Sequence, residues 1–282
     1  MKFSLFTCIM AAAILAACNT KPDVKASEPA KDTIAKSVVP QATPMDTVMA
    51  DATTIIDRKQ VPILCYHDIK EWRPNEKLSM KVYVVPVQRF KDQIKLLADS
   101  GYHSITPDQY YNYLAHGAPL PEKPVMFTFD DTDAEQYTIG AAELNKYGFK
   151  GVFFIMTISI GRPNYMTKEQ IKALADSGHI IAAHTWDHHN VRGYKDEDWQ
   201  KQLAEPKKKL EEITGKPVEY FAYPFGAWNK EAIPHIKEAG YKAAFQLTAK
   251  RDSAEPLFTI RRMLASGTYD AQALQKWMRS NF

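Results

Sequence analysis

Two short stretches of this chain collect residue types that hold cations. "HTWDH" (184–188) sets two histidines four residues apart, and "TFDD" (128–131) ends an apolar run from Val125 on two adjacent carboxylates. Burying one unpaired carboxylate is costly and burying two side by side is worse. A strand that ends on Asp130 and Asp131 therefore opens into solvent or meets something positive. On a helical turn His184 and His188 would share a face, with ring nitrogens able to meet one cation. Two imidazoles, one carboxylate and an open position describe a catalytic zinc site rather than a closed structural one. Successive side chains at a strand end point different ways. One of the two aspartates can thus bind metal while the other takes a proton from an attacking water. The spacing leaves open which does which.

The elements that must carry these residues follow a repeated pattern. "IKLLADSGY" (94–102), "AELNKYGF" (142–149), "IKALADSGH" (171–179) and "IPHIKEAGY" (233–241) each read as a helix stopped at a glycine;. Strand candidates "HSIT" (103–106), "GVFFIM" (151–156), "HIIAAH" (179–184) and "YKAAFQL" (241–247) come next. "VPILCYH" (61–67), "PVMFTFD" (124–130) and "VEYFAYP" (218–224) complete the set. Helices alternating with continuously apolar strands predict a parallel sheet covered by helices, and about seven such units in one domain predict a (β/α) barrel. In parallel folds the C-terminal strand ends form one rim where active sites sit. His67, Asp130, Asp131, His184 and Tyr223 all fall at such ends.

Outside that domain the chain has a different character. Residues 1–17 contain Lys2, an apolar run from Leu5 to Ala17, and then "LAAC" (15–18), too short to span a bilayer and read as a secretory signal;. "LAAC" resembles the lipobox of bacterial lipoproteins, which implies cleavage before Cys18 and lipidation of its thiol. The chain would then be exported and anchored to a bacterial membrane, facing the periplasm or the cell surface. Residues 18–60 carry no aromatic residue and no glycine, and read as a flexible tether;. Residues 61–282 form the one globular domain, read as a monomer. Removing residues 1–17 takes away one lysine and no acid, so the formal charge of +3 becomes +2 and gives no reason to expect nucleic-acid binding;. Cys65 is then the one unmodified thiol, and it lies inside an apolar strand;.

"TFDD", "HTWDH" and "YPFG" (223–226) together resemble the NodB-type polysaccharide deacetylases, over essentially all of residues 61–282. The resemblance implies a distorted (β/α) barrel and a hydrolase that uses one divalent metal ion, zinc first among candidates. It implies that Asp130 is the catalytic base, that Asp131, His184 and His188 are the metal ligands, and that the backbone N–H of Phe225 helps hold the oxyanion. Three positions depart from the usual pattern. Thr132 stands where glycine is usual, beside "DAEQ" (133–136), which reads as a helix N-cap with Gln136 at N3. Ala222 stands where an arginine supporting the base is common, and no histidine follows His235. "PILCYHDI" (62–69) is similar to the opening of the poly-N-acetylglucosamine deacetylases of biofilm exopolysaccharide, whose barrel is circularly permuted. That likeness implies that His67 is the catalytic acid, and that Arg262, in "TIRRM" (259–263), supports the base.

The implied function is removal of N-acetyl groups from an N-acetylglucosamine-containing polysaccharide, exopolysaccharide or peptidoglycan. O-deacetylation of a xylan-like glycan and a non-catalytic glycan-binding barrel are the alternatives. A glycosidase fits less well, because its two carboxylates come from separate strands and flank the scissile bond. Tyr223, Trp186 and Trp228 follow motif residues and could stack on sugar rings, as could Trp72 and Phe225, though burial would explain each of them as well.

Overall fold

Strands that are apolar on both faces need cover on both, and the computed structural model, which describes residues 48–282, supplies it as a parallel barrel inside a layer of helices;. The staves are β1 (Ile63–Tyr66), β2 (Pro124–Phe129), β3 (Gly151–Ile155), β4 (Ile180–Ala183), β5 (Tyr220–Ala222), β6 (Ala243–Phe245) and β7 (Met263–Leu264). Their order is β7-β1-β2-β3-β4-β5-β6, all parallel. Residues 260–264 close the seam. Gln246 N donates to Ile260 O at 2.9 Å and Arg262 N to Leu247 O at 3.1 Å, before Met263 and Leu264 pair with Leu64 and Cys65.

The number of staves matches the sequence expectation, but one member differs. His103–Ser104 pairs only with Pro124–Val125 at the foot of β2. Above that point β2 is already bonded to β1 and β3 on its two sides, so no place in the ring is left for it. The seventh stave comes instead from the late segment that holds Arg262.

The helices are α1 (Ala52–Asp57), α2 (Val87–Asp99), α3 (Pro107–His116), α4, α5 (Lys168–Asp176), α6, α7 (Ala232–Glu238) and α8 (Ala271–Asn281). In α4 a π-helical turn, Gln136–Ala141, continues as Ala142–Lys146. In α6 the turn Glu197–Trp199, a π-helical turn Gln200–Ala204 and Glu205–Thr214 run on as one helix. The glycines expected to end helices, Gly101, Gly148, Gly178 and Gly240, all take φ between +74 and +87 except Gly148 at +70. The barrel interior and the helix undersides form one continuous core, with stacked rings such as Phe129 on Phe153 at 4.8 Å.

Folded structure starts before Val61, which corrects the tether boundary. Asp51 caps α1 by accepting from Thr54 N at 2.8 Å, and Ile55 is buried in the core. Arg58 Nη1 donates to Tyr113 O at 2.7 Å and also to Leu114 O, tying α1 to the end of α3. The cap was legible in "DATT", but the segment's low aromatic content masked it. The leader, Cys18 and residues 18–47 lie outside the described residues. No helix among the described residues is long and apolar enough to cross a membrane.

Candidate metal and catalytic site

Asp130 and Asp131 follow β2 directly, and the backbone turns sharply between them. Asp131 and Thr132 both take φ of +76, in the left-handed region where non-glycine residues are uncommon;. Thr132 fills the place of a glycine because its hydroxyl is used: Met156 N donates to it at 2.8 Å, while Met166 N bonds its carbonyl at 3.0 Å. The turn sends the two carboxylates apart, as the alternation at a strand end suggests.

Asp130 points into the barrel and is almost fully buried. Arg262 grips it with two parallel bonds, Nη1 to Oδ1 at 2.6 Å and Nη2 to Oδ2 at 2.8 Å;. The guanidinium is itself satisfied, with Nε donating to Gln246 O at 3.2 Å, Nη1 also to Thr128 Oγ1 at 3.1 Å, and the Phe154 ring 5.0 Å below. Burial alone would raise the Asp130 pKa, but Arg262 and then His184 outweigh it and hold the carboxyl far below its usual range. Cys65 Sγ donates to Asp130 Oδ2 at 3.5 Å, and burial pushes this thiol well up. It is a core cysteine, as its place in an apolar strand suggests.

Asp131 points the other way, to the histidines. Its Oδ1 lies 3.4 Å from His184 Nε2 and 3.4 Å from His188 Nε2. His184 Nδ1 donates to Ala222 O at 2.8 Å, which turns Nε2 towards Asp131;. Burial disfavours charge on His184, but Asp130 and Asp131 override it and hold the pKa above the ordinary value. His188 is pushed down to about 4, first by burial and then by His184, so its imidazole is neutral. The Asp131 Oδ1 is buried and accepts no hydrogen bond. An orphaned carboxylate oxygen facing two imidazole nitrogens, with the three atoms within 4.8 Å of one another, fits a divalent cation;.

The "HTWDH" segment is not a helical turn, contrary to expectation. Thr185 and His188 take φ of +67, and the segment is a loop after β4. Thr185 Oγ1 accepts from His188 N at 2.9 Å, folding the loop so that the second imidazole returns to the first at 4.9 Å between ring centres. Gln202 of α6 fastens the loop from outside: its Oε1 accepts from Trp186 N at 3.0 Å and its Nε2 donates to Asp187 Oδ1 at 2.8 Å.

His67 ends β1 on the other side of Asp130. Its ring meets Tyr83 edge-on at 5.2 Å, and its Nδ1 is 3.9 Å from Cys65 Sγ. Phe225 takes φ of +61 after β5, and its exposed ring lies 4.4 Å from that of His188. The next residue has to be glycine. Gly226 has φ of +65, and a Cβ there would sit 2.7 Å from the backbone nitrogen of Leu247;. A cleft of about 400 Å³ opens over these groups, lined by His67, Asp130, Asp131, His184, His188 and Phe225, with Tyr83, Met80 and Leu247 as further walls.

Three expected sugar platforms are not in this cleft. Tyr223 is buried, with its hydroxyl donating to Phe258 O at 2.9 Å. Trp186 lies under Lys201 at 3.9 Å, and Trp228 packs against the core while its carbonyl accepts from Arg192. Adjacency to a motif in sequence did not place them, because alternate residues after a strand end face opposite ways. Tyr83 and Met80 were missed in their stead. They reach the cleft through the pairing of Asp68–Ile69 with Val84–Val85, which no local pattern announces. Gln136 was expected to complete a cap. It turns inward and donates to the carbonyls of Asp130 and, at 3.1 Å, His67.

Residues 117–244 of this chain match the polysaccharide deacetylase family model. Bacillus subtilis YxkH, named for the same family, is 29% identical over 224 residues, covering 78% of this chain and 77% of its own length. The poly-beta-1,6-N-acetyl-D-glucosamine N-deacetylase of Staphylococcus aureus is 27% identical over 214 residues, 71% of this chain and 73% of its own. Among solved structures, IcaB from Ammonifex degensii superposes with a TM-score of 0.63 at 25% identity, over 78% of this chain and 95% of that one. Streptococcus pyogenes deacetylase PplD, in complex with acetate, shares the fold with a TM-score of 0.70, at 23% identity over 77% of this chain and 97% of that one.

Proposed function

We propose that this protein is a metal-dependent N-deacetylase of an N-acetylglucosamine-containing polysaccharide, with Asp131, His184 and His188 as the metal ligands. The observation that carries the reading is the orphaned Asp131 Oδ1 between two imidazole nitrogens, in the same cleft as Asp130 and His67. The S. aureus relative acts on poly-beta-1,6-N-acetyl-D-glucosamine by its name, and this supports the choice of polymer.

A divalent cation held by the three ligands, zinc in this reading, supplies Lewis acidity towards the acetamide carbonyl and towards water, which a base as weak as Asp130 requires. Asp130 is ionised throughout the working pH range and receives the proton of the attacking water. Arg262 fixes both of its oxygens, so the carboxylate does not turn away. The Phe225 N–H lies on the rim where it can donate to the developing oxyanion. His67 delivers a proton to the departing nitrogen, because an amine cannot leave as an anion. Tyr83 and Phe225 offer ring faces to the apolar side of a sugar.

Acetate release from poly-N-acetylglucosamine, chitin oligomers, peptidoglycan and acetyl-xylan tests the reading. Release from an N-acetylated polymer is expected. Release from acetyl-xylan alone would make the protein an O-acetyl esterase, and release from none would make it a glycan-binding barrel. His67→Ala is expected to lower amide turnover by roughly 10²–10⁴-fold, the usual worth of a general acid. It should spare aryl acetates, whose leaving group needs no proton.

We also propose that the chain is exported, lipidated at Cys18 and held at the membrane as a monomer. "LAAC" supports export and lipidation. Cys18→Ala should release the protein into the soluble fraction, and unchanged membrane association would refute the anchor.

A further inference from the structure

Two buried glutamines take no part in the mechanism above, yet each is bonded to the backbone or loop that carries a reacting group. Gln136 is fully buried, and its Nε2 donates to the carbonyls of both Asp130 and His67. Because both partners are carbonyls, which only accept, the amide orientation is fixed. Gln202, also buried, uses Oε1 and Nε2 together on the loop between the two histidines, touching Trp186 N, Asp187 N and Asp187 Oδ1.

Each glutamine also belongs to a π-helical turn, Gln136–Ala141 or Gln200–Ala204. Single π turns are rare and occur often at functional sites. The second has a cause in sequence: Pro206 lacks an N–H, and its ring crowds the carbonyl four residues back, that of Gln202 itself;. In the first, the Thr138 hydroxyl donates to Ala134 O at 3.2 Å, a back-bond that bends helices;. A wider turn changes the direction in which a side chain leaves the helix.

We propose that these glutamines are two separate positioning residues: Gln136 sets the spacing between the base Asp130 and the acid His67, and Gln202 sets the shape of the loop that presents His184 and His188 to the metal. The proposal rests on the deacetylase reading above for the roles of those four residues. The two glutamines touch different partners, so their removal should separate turnover from metal binding.

The test compares Gln136→Met and Gln202→Met with the wild type. The measurements are zinc affinity by chelator competition, kcat and KM on an N-acetylglucosamine oligomer and on an aryl acetate, the pH–rate profile, and Tm. Gln136→Met should keep zinc affinity within about twofold while amide kcat falls about 10–100-fold, the scale of a small misplacement of reacting groups. Its ester kcat should fall less and its pH–rate profile should shift, with KM nearly constant. Gln202→Met should weaken zinc binding about 10–100-fold, as loss of a partner behind metal ligands does. At saturating zinc its ratio of amide to ester turnover should match the wild type.

Parallel losses in all readouts, tracking Tm, would reduce both glutamines to general packing and overturn the proposal. So would wild-type values in both variants. Should either Met variant fail to fold, Gln136→Glu and Gln202→Glu keep the volume. Gln136→Glu removes the donor to both carbonyls. Gln202→Glu keeps an acceptor for the loop N–H groups and sets a charge against Asp187. The same split between turnover and zinc affinity is expected of them, and its absence overturns the proposal. If the wild type releases no acetate from any amide, the deacetylase reading fails, whereas the zinc arm still decides the Gln202 half by itself.

Discussion

At the scale of single residues, the division of labour proposed for Asp130 and Asp131 rests on what each touches. Asp131 faces two imidazole nitrogens and has an unpartnered oxygen, whereas Asp130 is saturated by Arg262. Asp131→Asn should therefore lose the metal, and Asp130→Asn should keep it and lose turnover, as metal analysis beside acetate release will show. Metal lost from Asp130→Asn and kept by Asp131→Asn would exchange the two roles. Arg262 carries a second expectation. Removing one partner of a buried ion pair costs about 3–5 kcal/mol, since the other charge is left uncompensated. Arg262→Met should lower stability by that measure, and with the largest opponent of burial gone the Asp130 pKa should rise. The acid limb of the pH–rate profile then moves to higher pH, and a limb that stays in place would show that Asp130 does not set it.

At the scale of elements, the site depends on what happens just past the strand ends. Asp131, Thr132, Thr185, His188 and Phe225 all adopt positive φ, a cost of about 1–2 kcal/mol per residue in that region;. Five such residues around one cleft are sustained by side-chain bonds from Thr132, Thr185 and Gln202 and by the bulk of the barrel beneath. The strand beginnings serve stability instead. His179, at the foot of β4, accepts from Gly151 N at 3.0 Å through Nδ1, and burial, then Lys150, pushes its pKa down to about 4. Between that value and about 6.5 the unfolded chain binds the proton and the folded one does not, so stability rises with pH across this window and is lost on acidification. His179→Gln keeps an acceptor without the titration. From pH 7 to 4.5 the wild type should lose up to roughly 2–3 kcal/mol more than this variant in denaturant unfolding. Equal pH slopes would assign the acid sensitivity elsewhere.

At the scale of the whole molecule, α1 and the 260–264 seam decide where the domain begins and how it closes. A chain starting at Val61 lacks Ile55 and the two Arg58 bonds, and exposes the surface that they cover. Burying one isoleucine is worth about 1.5–3 kcal/mol, so the Tm should fall several degrees below that of a chain starting at Val48, while the Asp131, His184 and His188 cluster at the opposite strand ends keeps its arrangement. Equal Tm values would show that α1 adds nothing to stability. The seam has the larger effect on chemistry, since it brings Arg262 across 132 residues of sequence to Asp130.

The sequence by itself determined the kind of fold and the residues of the candidate site that gather on its rim. Continuous apolar strands alternating with helices demand a covered parallel sheet, and such a sheet sends its strand ends to one rim, so His67, Asp130, Asp131 and His184 had to gather there. Arg262, as the partner of Asp130, was also legible through the resemblance. Only the tertiary structure decided the rest. Loop conformations such as that of 184–188 depend on bonds from Gln202, which lies in another element and leaves no periodic trace. The seventh stave is two residues long, too short to show alternation, and it exists because both of its neighbours offer free edges. Gln136 fits a local capping pattern equally well, and it faces the site because a fully bonded barrel places two strand-end carbonyls within its reach.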